Sequence, residues 1–340
     1  MGIKKHIKNS LNSLLKRYDH EIIASRLLYD WQKSFQRRSS YKKAKLPEGA
    51  EDYLQQKNPR FRELREKYSI FNQDVTEPLV WTNNHVSSDD IRNFRGDNAF
   101  VWQLRGPNMN IMSYALSTYY IKAIDNLCLF DKLAEDDYFG IFTFLIDDQP
   151  ISRDLLDSII EIYFLEKHLN ISRWSNLKIL DIGAGYGRLA HRMVNAFHNI
   201  DYYLCTDAVS ISTFISEYYL RFRNVHDKAK VIPLYDIEDV LTNHSVDIAI
   251  NVHSFSECKV SAIDWWLTVL ERNRIKYLMI VPNSLNHGRG KLLLTIDFQD
   301  FLDVVEWHGY KLIAKEPKYR DATVQEYGIN PAYHYLFELC

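Results

Sequence analysis

The stretch Leu177–Met193, LKILDIGAGYGRLAHRM, decides the fold of this 340-residue chain. Leu177, Ile179, Leu180 and Ile182 form an apolar run of strand length. Gly183, Gly185 and Gly187 follow at two-residue spacing, and Leu189, Ala190, Met193, Val194 and Phe197 then recur at helical spacing. Glycines at a strand-to-helix junction let the backbone turn sharply and let a ligand press against it. The helix behind them adds a positive dipole end and free N–H groups. Downstream, the same alternation continues. Strands are predicted over Tyr202–Cys205, Lys230–Leu234, Asp247–Val252, Tyr277–Val281, Tyr310–Ala314 and Tyr333–Leu339. Helices are predicted over Ile211–Phe222, Ala262–Arg272 and Phe298–His308. That order predicts an α/β fold with a parallel sheet covered by helices on both faces.

The glycine spacing separates two ligand classes. The dinucleotide fingerprint is G-x-G-x-x-G, whereas here the third glycine comes one residue earlier and Asp181 stands two positions before the first. A carboxylate repels a pyrophosphate and attracts an ammonium or sulfonium group. D-x-G-x-G-x-G at the end of a strand resembles motif I of the class I S-adenosylmethionine (SAM) methyltransferases. The resemblance implies a Rossmann-like class I methyltransferase sheet, usually with mixed final strands, and SAM as cofactor. It places Asp181, Gly183, Ala184, Gly185 and Gly187 along that cofactor.

Ligands of open α/β sheets lie outside the carboxyl ends of the strands, so the polar residues there are the candidates. Asp207, 20 residues after Gly187, ends the second strand. It suits the two ribose hydroxyls of adenosine, or a helix N-cap. Asp236 and Ile237 follow the third strand. The resemblance places them against the adenine amino group and ring, and an Asx turn is the local alternative. Asn251 closes the fourth strand on the cofactor side and leads into His253-Ser254-Phe255-Ser256-Glu257. A hydroxyl acceptor gains from losing its proton during attack. His253 has a suitable unperturbed pKa for a base, and Glu257 either orients the imidazole or acts itself. As plain loop hydrogen bonders, both would only fix a turn. Asn283, Asn286, His287 and Arg289 follow the fifth strand, with His287 a second candidate base. HSFSE together with the later Pro282-Asn283 resembles a bacterial sugar O-methyltransferase family associated with surface-polysaccharide synthesis. The resemblance covers roughly Asp154 to the C-terminus and implies a sugar or glycan acceptor.

Composition frames these readings. Hydrophobic residues make up 46% and charged residues 25%, an ordinary globular balance. A formal net charge of −2 gives no argument for a nucleic-acid partner, and none is expected. Cys128, Cys205, Cys258 and Cys340 form no C-x-x-C pair, so neither zinc nor a disulfide framework is predicted. No run approaches a membrane span, and the N-terminus lacks the apolar core of a secretory signal. A cytoplasmic location is the expectation. Length suggests two parts: a mainly helical region over 1–150 that covers the acceptor site, and a SAM-binding domain over 151–340. The first 45 residues hold twelve Lys and Arg against three acids, and Ile3, Ile7, Leu11, Leu14 and Leu15 make an apolar stripe. Such a helix packs on the protein body or lies on an anionic membrane face. For the second case we expect weak, salt-sensitive binding to anionic vesicles. Sedimentation that is unchanged after deletion of residues 1–45 rules it out.

Overall fold

Strand β1 (Leu177–Ile182) is buried along nearly its whole length in the middle of a seven-stranded sheet. The remaining strands are β2 (Ile200–Thr206), β3 (Ala229–Val231), β4 (Ile248–Val252), β5 (Tyr277–Val281), β6 (Tyr310–Pro317) and β7 (Tyr333–Leu339). Their order across the sheet is β3-β2-β1-β4-β5-β7-β6. The first five run parallel, and β7 pairs antiparallel with both β5 and β6. This is the Rossmann-like sheet with mixed final strands. Strand order reverses between β1 and β4, the topological switch point where such sheets open a crevice. The computed structural model describes residues 45–340 except 77–78, 82–85, 107 and 284–289, together with residues 11, 14, 15, 37 and 38. Apart from Leu11, Leu14 and Leu15, the basic N-terminal stripe lies outside the described residues, as do Asn286, His287 and Arg289.

Two elements are shorter than the sequence suggests. β3 ends at Val231 because Pro233 cannot donate to a ladder, and Leu234–Asp236 turns as a 3₁₀ helix instead. The helix expected from Phe298 begins only at Leu302, since Thr295 Oγ1 and carbonyl take the N–H groups of Gln299 and Phe298 in a tight turn.

Among the described residues the region before the sheet combines helices, of which α1 (Pro59–Ile70) and α2 (Ile111–Ile124) are the longest, with a small antiparallel sheet of Arg37–Arg38, Thr143–Ile146 and Gln149–Ile151. Asn58 caps α1 by accepting the Arg60 N–H at 2.9 Å, and Pro59 follows where no N–H is needed. Phe61, Leu64 and Tyr68 are its buried face, and Phe61 meets Phe214 with ring centroids 5.5 Å apart. Asn98–Leu104 adopts no regular element. Asn98 Oδ1 takes the Phe100 N–H and Asp97 Oδ1 takes the Leu104 N–H, so side chains replace a ladder.

Helix α3 (Arg153–Leu169) enters the sheet from Ser152, whose Oγ accepts the Leu155 N–H at 3.0 Å. It is followed by helices α4 (Arg188–Ala196), α5 (Ser210–Phe222), α6 (Ile237–Asn243) and α7 (Val260–Arg272). The apolar side chains of the N-terminal helices and of the sheet join one core. No described helix is long and apolar enough to cross a membrane.

A buried ionic network locks the N-terminal region onto α4 and α5. The Glu135 carboxylate, 2% exposed, takes hydrogen bonds from Arg95, Ser152 and Arg192, the last at 2.8 Å. Asp136 bridges Arg95 at 2.6 Å to Arg223. Burial alone would raise the Glu135 pKa, but the Arg95 and Arg192 guanidiniums outweigh it and hold the group at about 2. A carboxylate depressed in the fold stabilises above its unfolded pKa, and that contribution is lost as pH falls toward 2. Removing one partner strands a buried charge. We expect Glu135→Ala to cost about 3–5 kcal/mol in urea unfolding at neutral pH, with the deficit shrinking below pH 4.

Candidate functional site

The register aligns the site. Asp181 stands level with Cys205 and Ile250, and Ile182 level with Thr206 and Asn251, so three strand ends meet at one edge. The glycine loop leaves β1 with Gly183 at φ 73° and Gly185 at φ 57°, both left-handed. A Cβ on Gly183 would lie 2.0 Å from Ser254 Oγ, so the loop touches the turn after β4. A Cβ on Gly185 would meet nothing within 4 Å, so that residue faces open space.

That space is a cavity. Asp181, Gly183, Ala184, Gly185 and Asp207 line one side, His253 and Glu257 another, and Val75, Trp81 and Phe100 of the N-terminal region close it. Asp207 Oδ2 accepts the Gly185 N–H at 2.9 Å and Oδ1 the Val209 N–H at 2.8 Å. It therefore caps the turn into α5 and presents its carboxylate to the cavity. Desolvation pushes its pKa up to about 7 against those two N–H groups. Asp181 accepts the Tyr203 hydroxyl at 2.9 Å, and desolvation pushes it up to about 7 as well. Two carboxyls held in this state suit a cation and hydroxyl donors far better than phosphate.

Four expected residues stand outside that lining. Gly187 packs against α5, where a Cβ would meet Ser216 Oγ and Leu220 at 3.0 Å. Asn251 is fully buried. Its amide donates to the Ile182 carbonyl at 3.0 Å and to Ser254 Oγ at 2.6 Å, and its Oδ1 accepts the Phe255 N–H at 3.0 Å. It fastens β4 to β1. Asp236 is exposed at the start of α6, and Ile237 is buried in the core. The reason is Tyr68 of α1. Its hydroxyl takes the Leu234 N–H at 2.9 Å and lies 3.1 Å from the Asp207 carbonyl and 2.8 Å from Thr213 Oγ1, filling the space between the β2 and β3 ends.

His253 and Glu257 lie on the wall between this cavity and a second one. His253 has φ 69°, a strained value for a residue with a side chain. Desolvation, then the Arg153 charge, pushes its imidazole down to about 3. Glu257 Oε2 accepts the Trp81 Nε1–H at 2.8 Å, and burial pushes its pKa up. The second cavity adds Trp102, Arg105, Arg153, Asp154, Asp157 and Asn283. Asn283 is the one expected residue of the loop after β5 among the described residues.

Sequence reading missed the charges behind these cavities. Arg188 clasps Glu161 through two bonds of 2.9 and 3.0 Å and donates to Ser158 Oγ at 2.7 Å. A signal existed: a cation in the first turn of α4 opposes the helix dipole, so Arg188 needed an acid elsewhere. Trp81 gave no signal, because its partner is 176 residues away.

No protein-family model matches the chain, and no curated protein does. Solved structures resemble about half of it. A SAM-dependent methyltransferase from Aquifex aeolicus is 14% identical, with TM-score 0.40, over 53% of this chain and 89% of that one. Precorrin-6y C5,15-methyltransferase from Geobacter metallireducens is 14% identical, with TM-score 0.36, over 58% and 91%. The [4+2]-cyclase SpnF is 12% identical, with TM-score 0.39, over 55% and 82%. Likenesses this remote carry no chemistry. The class of this chain, a Rossmann-like α/β protein with its cavity at the switch point, follows from its own strand order and register.

A carboxyl whose pKa is raised in the fold destabilises as pH rises from its unfolded value to its folded one. For Asp181 that window runs from about 4 to about 7. Asp181→Asn keeps an acceptor for Tyr203 and removes the penalty. We expect urea unfolding at pH 8 to show it more stable than the parent by on the order of 2 kcal/mol, with the two converging near pH 4.

Proposed function

We propose that the chain is a SAM-dependent O-methyltransferase whose acceptor is a sugar or glycan hydroxyl, as in surface-polysaccharide synthesis. The observation that carries this reading is the shared wall: His253 and Glu257 face both cavities at once. SAM fits the first cavity, where Gly185 leaves room for close approach and the desolvated Asp181 and Asp207 carboxyls await a cation and hydroxyls. When bound, SAM supplies an electrophilic methyl on a cationic sulfur.

The remaining work falls to this chain. Glu257 is the better proton acceptor of the two candidates, since burial strengthens it as a base. His253 stays neutral at physiological pH and serves as a hydrogen-bonding group beside it. Trp81 holds the Glu257 carboxylate in place. The second cavity combines Trp81, Phe100 and Trp102 with planar polar side chains such as Arg105 and Asn283. Aromatic faces and planar hydrogen bonders suit a polyhydroxylated ring. Half of the residues that line that cavity, from Val80 and Trp81 to Arg105 and Gly106, belong to the N-terminal region, which gives the region its role as acceptor cover.

Labelled SAM incubated with glycan, protein and small-molecule fractions tests the acceptor, and label confined to protein sinks the sugar reading. In calorimetry Gly185→Arg should abolish SAM binding. Glu257→Gln should retain it while kcat falls about 100-fold or more.

A further inference from the structure

We infer that the second cavity selects an acceptor bearing an anionic group, a carboxylate or a phosphate, held by Arg153 and Arg188. The inference rests on the reading above, because it names the substrate class of the same site. Arg153 is 9% exposed at the first turn of α3. Its Nε binds Asp157 Oδ2 at 3.0 Å and its Nη1 binds the Trp102 carbonyl at 2.7 Å. Among the described residues its Nη2 has no partner, and the side chain lines the cavity. Arg188 spends both terminal nitrogens on Glu161 and Ser158, leaves Nε uncommitted, and lines the cavity beside it.

The acids in that wall are already engaged. Asp157 lies between Arg153 and the buried Lys318 ammonium. Asp154 takes hydrogen bonds from Gln103 at 3.1 Å and from Tyr186, and burial pushes it toward its protonated form. Glu257 is held by Trp81. Among the described residues, Arg153 and Arg188 thus keep guanidinium N–H donors that these acids do not take up. Burial depresses His253 most, and the Arg153, Arg188 and Lys318 charges add to that depression against the Asp157 carboxylate. A neutral sugar offers those donors only uncharged acceptors in a desolvated wall. A carboxylate or phosphate meets it with charge-assisted bonds to the guanidinium edges.

The test is calorimetry on the full chain, with and without saturating S-adenosylhomocysteine (SAH). Glucuronate, glucose 1-phosphate, glucose and inorganic phosphate are the titrants. We expect one or both acidic sugars to bind at least tenfold more tightly than glucose, inorganic phosphate to compete with them, and Arg153→Gln to erase the difference. Which acid wins tells a carboxylate from a phosphate. If Arg153→Gln does not fold, phosphate competition on the parent chain decides. Glucose binding as tightly as both acids, neither acid binding, or acid binding unchanged in Arg153→Gln overturns the inference. SAH is titrated separately. A chain that binds phosphate at this site but not SAH refutes the cofactor reading alone.

Discussion

The site depends on one close contact, between the glycine loop after β1 and the turn after β4. Gly183 admits no Cβ because Ser254 occupies that space, and the buried Asn251 amide bonds both Ser254 and the last carbonyl of β1. Two parallel strands are thereby fastened at their carboxyl ends. The fastening aims Asp181 to one side of the loop and carries His253 and Glu257 to the other. The turn at this junction includes the strained backbone of His253, whose N–H is held by the Val281 carbonyl at 2.7 Å. A strained conformer persists only where its surroundings over-determine it.

Around the junction the fold tolerates buried charge in two different ways. Away from the cavities, Glu135 and Asp136 form ion pairs with Arg95, Arg192 and Arg223. Such pairs join segments that the chain order keeps far apart, and geometry rather than net energy is what they contribute. At the cavity wall some groups have no ion-pair partner among the described residues. Among the described residues, Asp181 and Asp207 sit desolvated without an ion-pair partner, and the Arg153 Nη2 has no hydrogen-bond partner. Unmatched groups lower stability in the empty protein and become useful when a ligand of opposite character arrives.

Legibility from sequence followed the range of the interaction. The β1–loop–α4 unit was readable because strand, glycine turn and helix are neighbours in the chain and obey local rules. Asp207 was readable because a strand end lies at a fixed distance along a βαβ unit. Asp236 and Ile237 stand outside the lining of the first cavity for a non-local reason. Tyr68, contributed by a helix more than a hundred residues earlier, occupies the gap they were expected to border.

The sequence by itself determined the sheet, its glycine loop and the acidic character of the pocket beside it, because periodicity and backbone freedom are properties of short segments. Only the tertiary structure decided which residues share a wall. It brought Trp81 onto Glu257, set Arg153 and Arg188 beside His253, and buried Asn251 as a fastener. Hydrogen bonds and charge pairs across such separations leave no pattern in the chain, because their geometry exists only once the N-terminal region has packed on the strand ends.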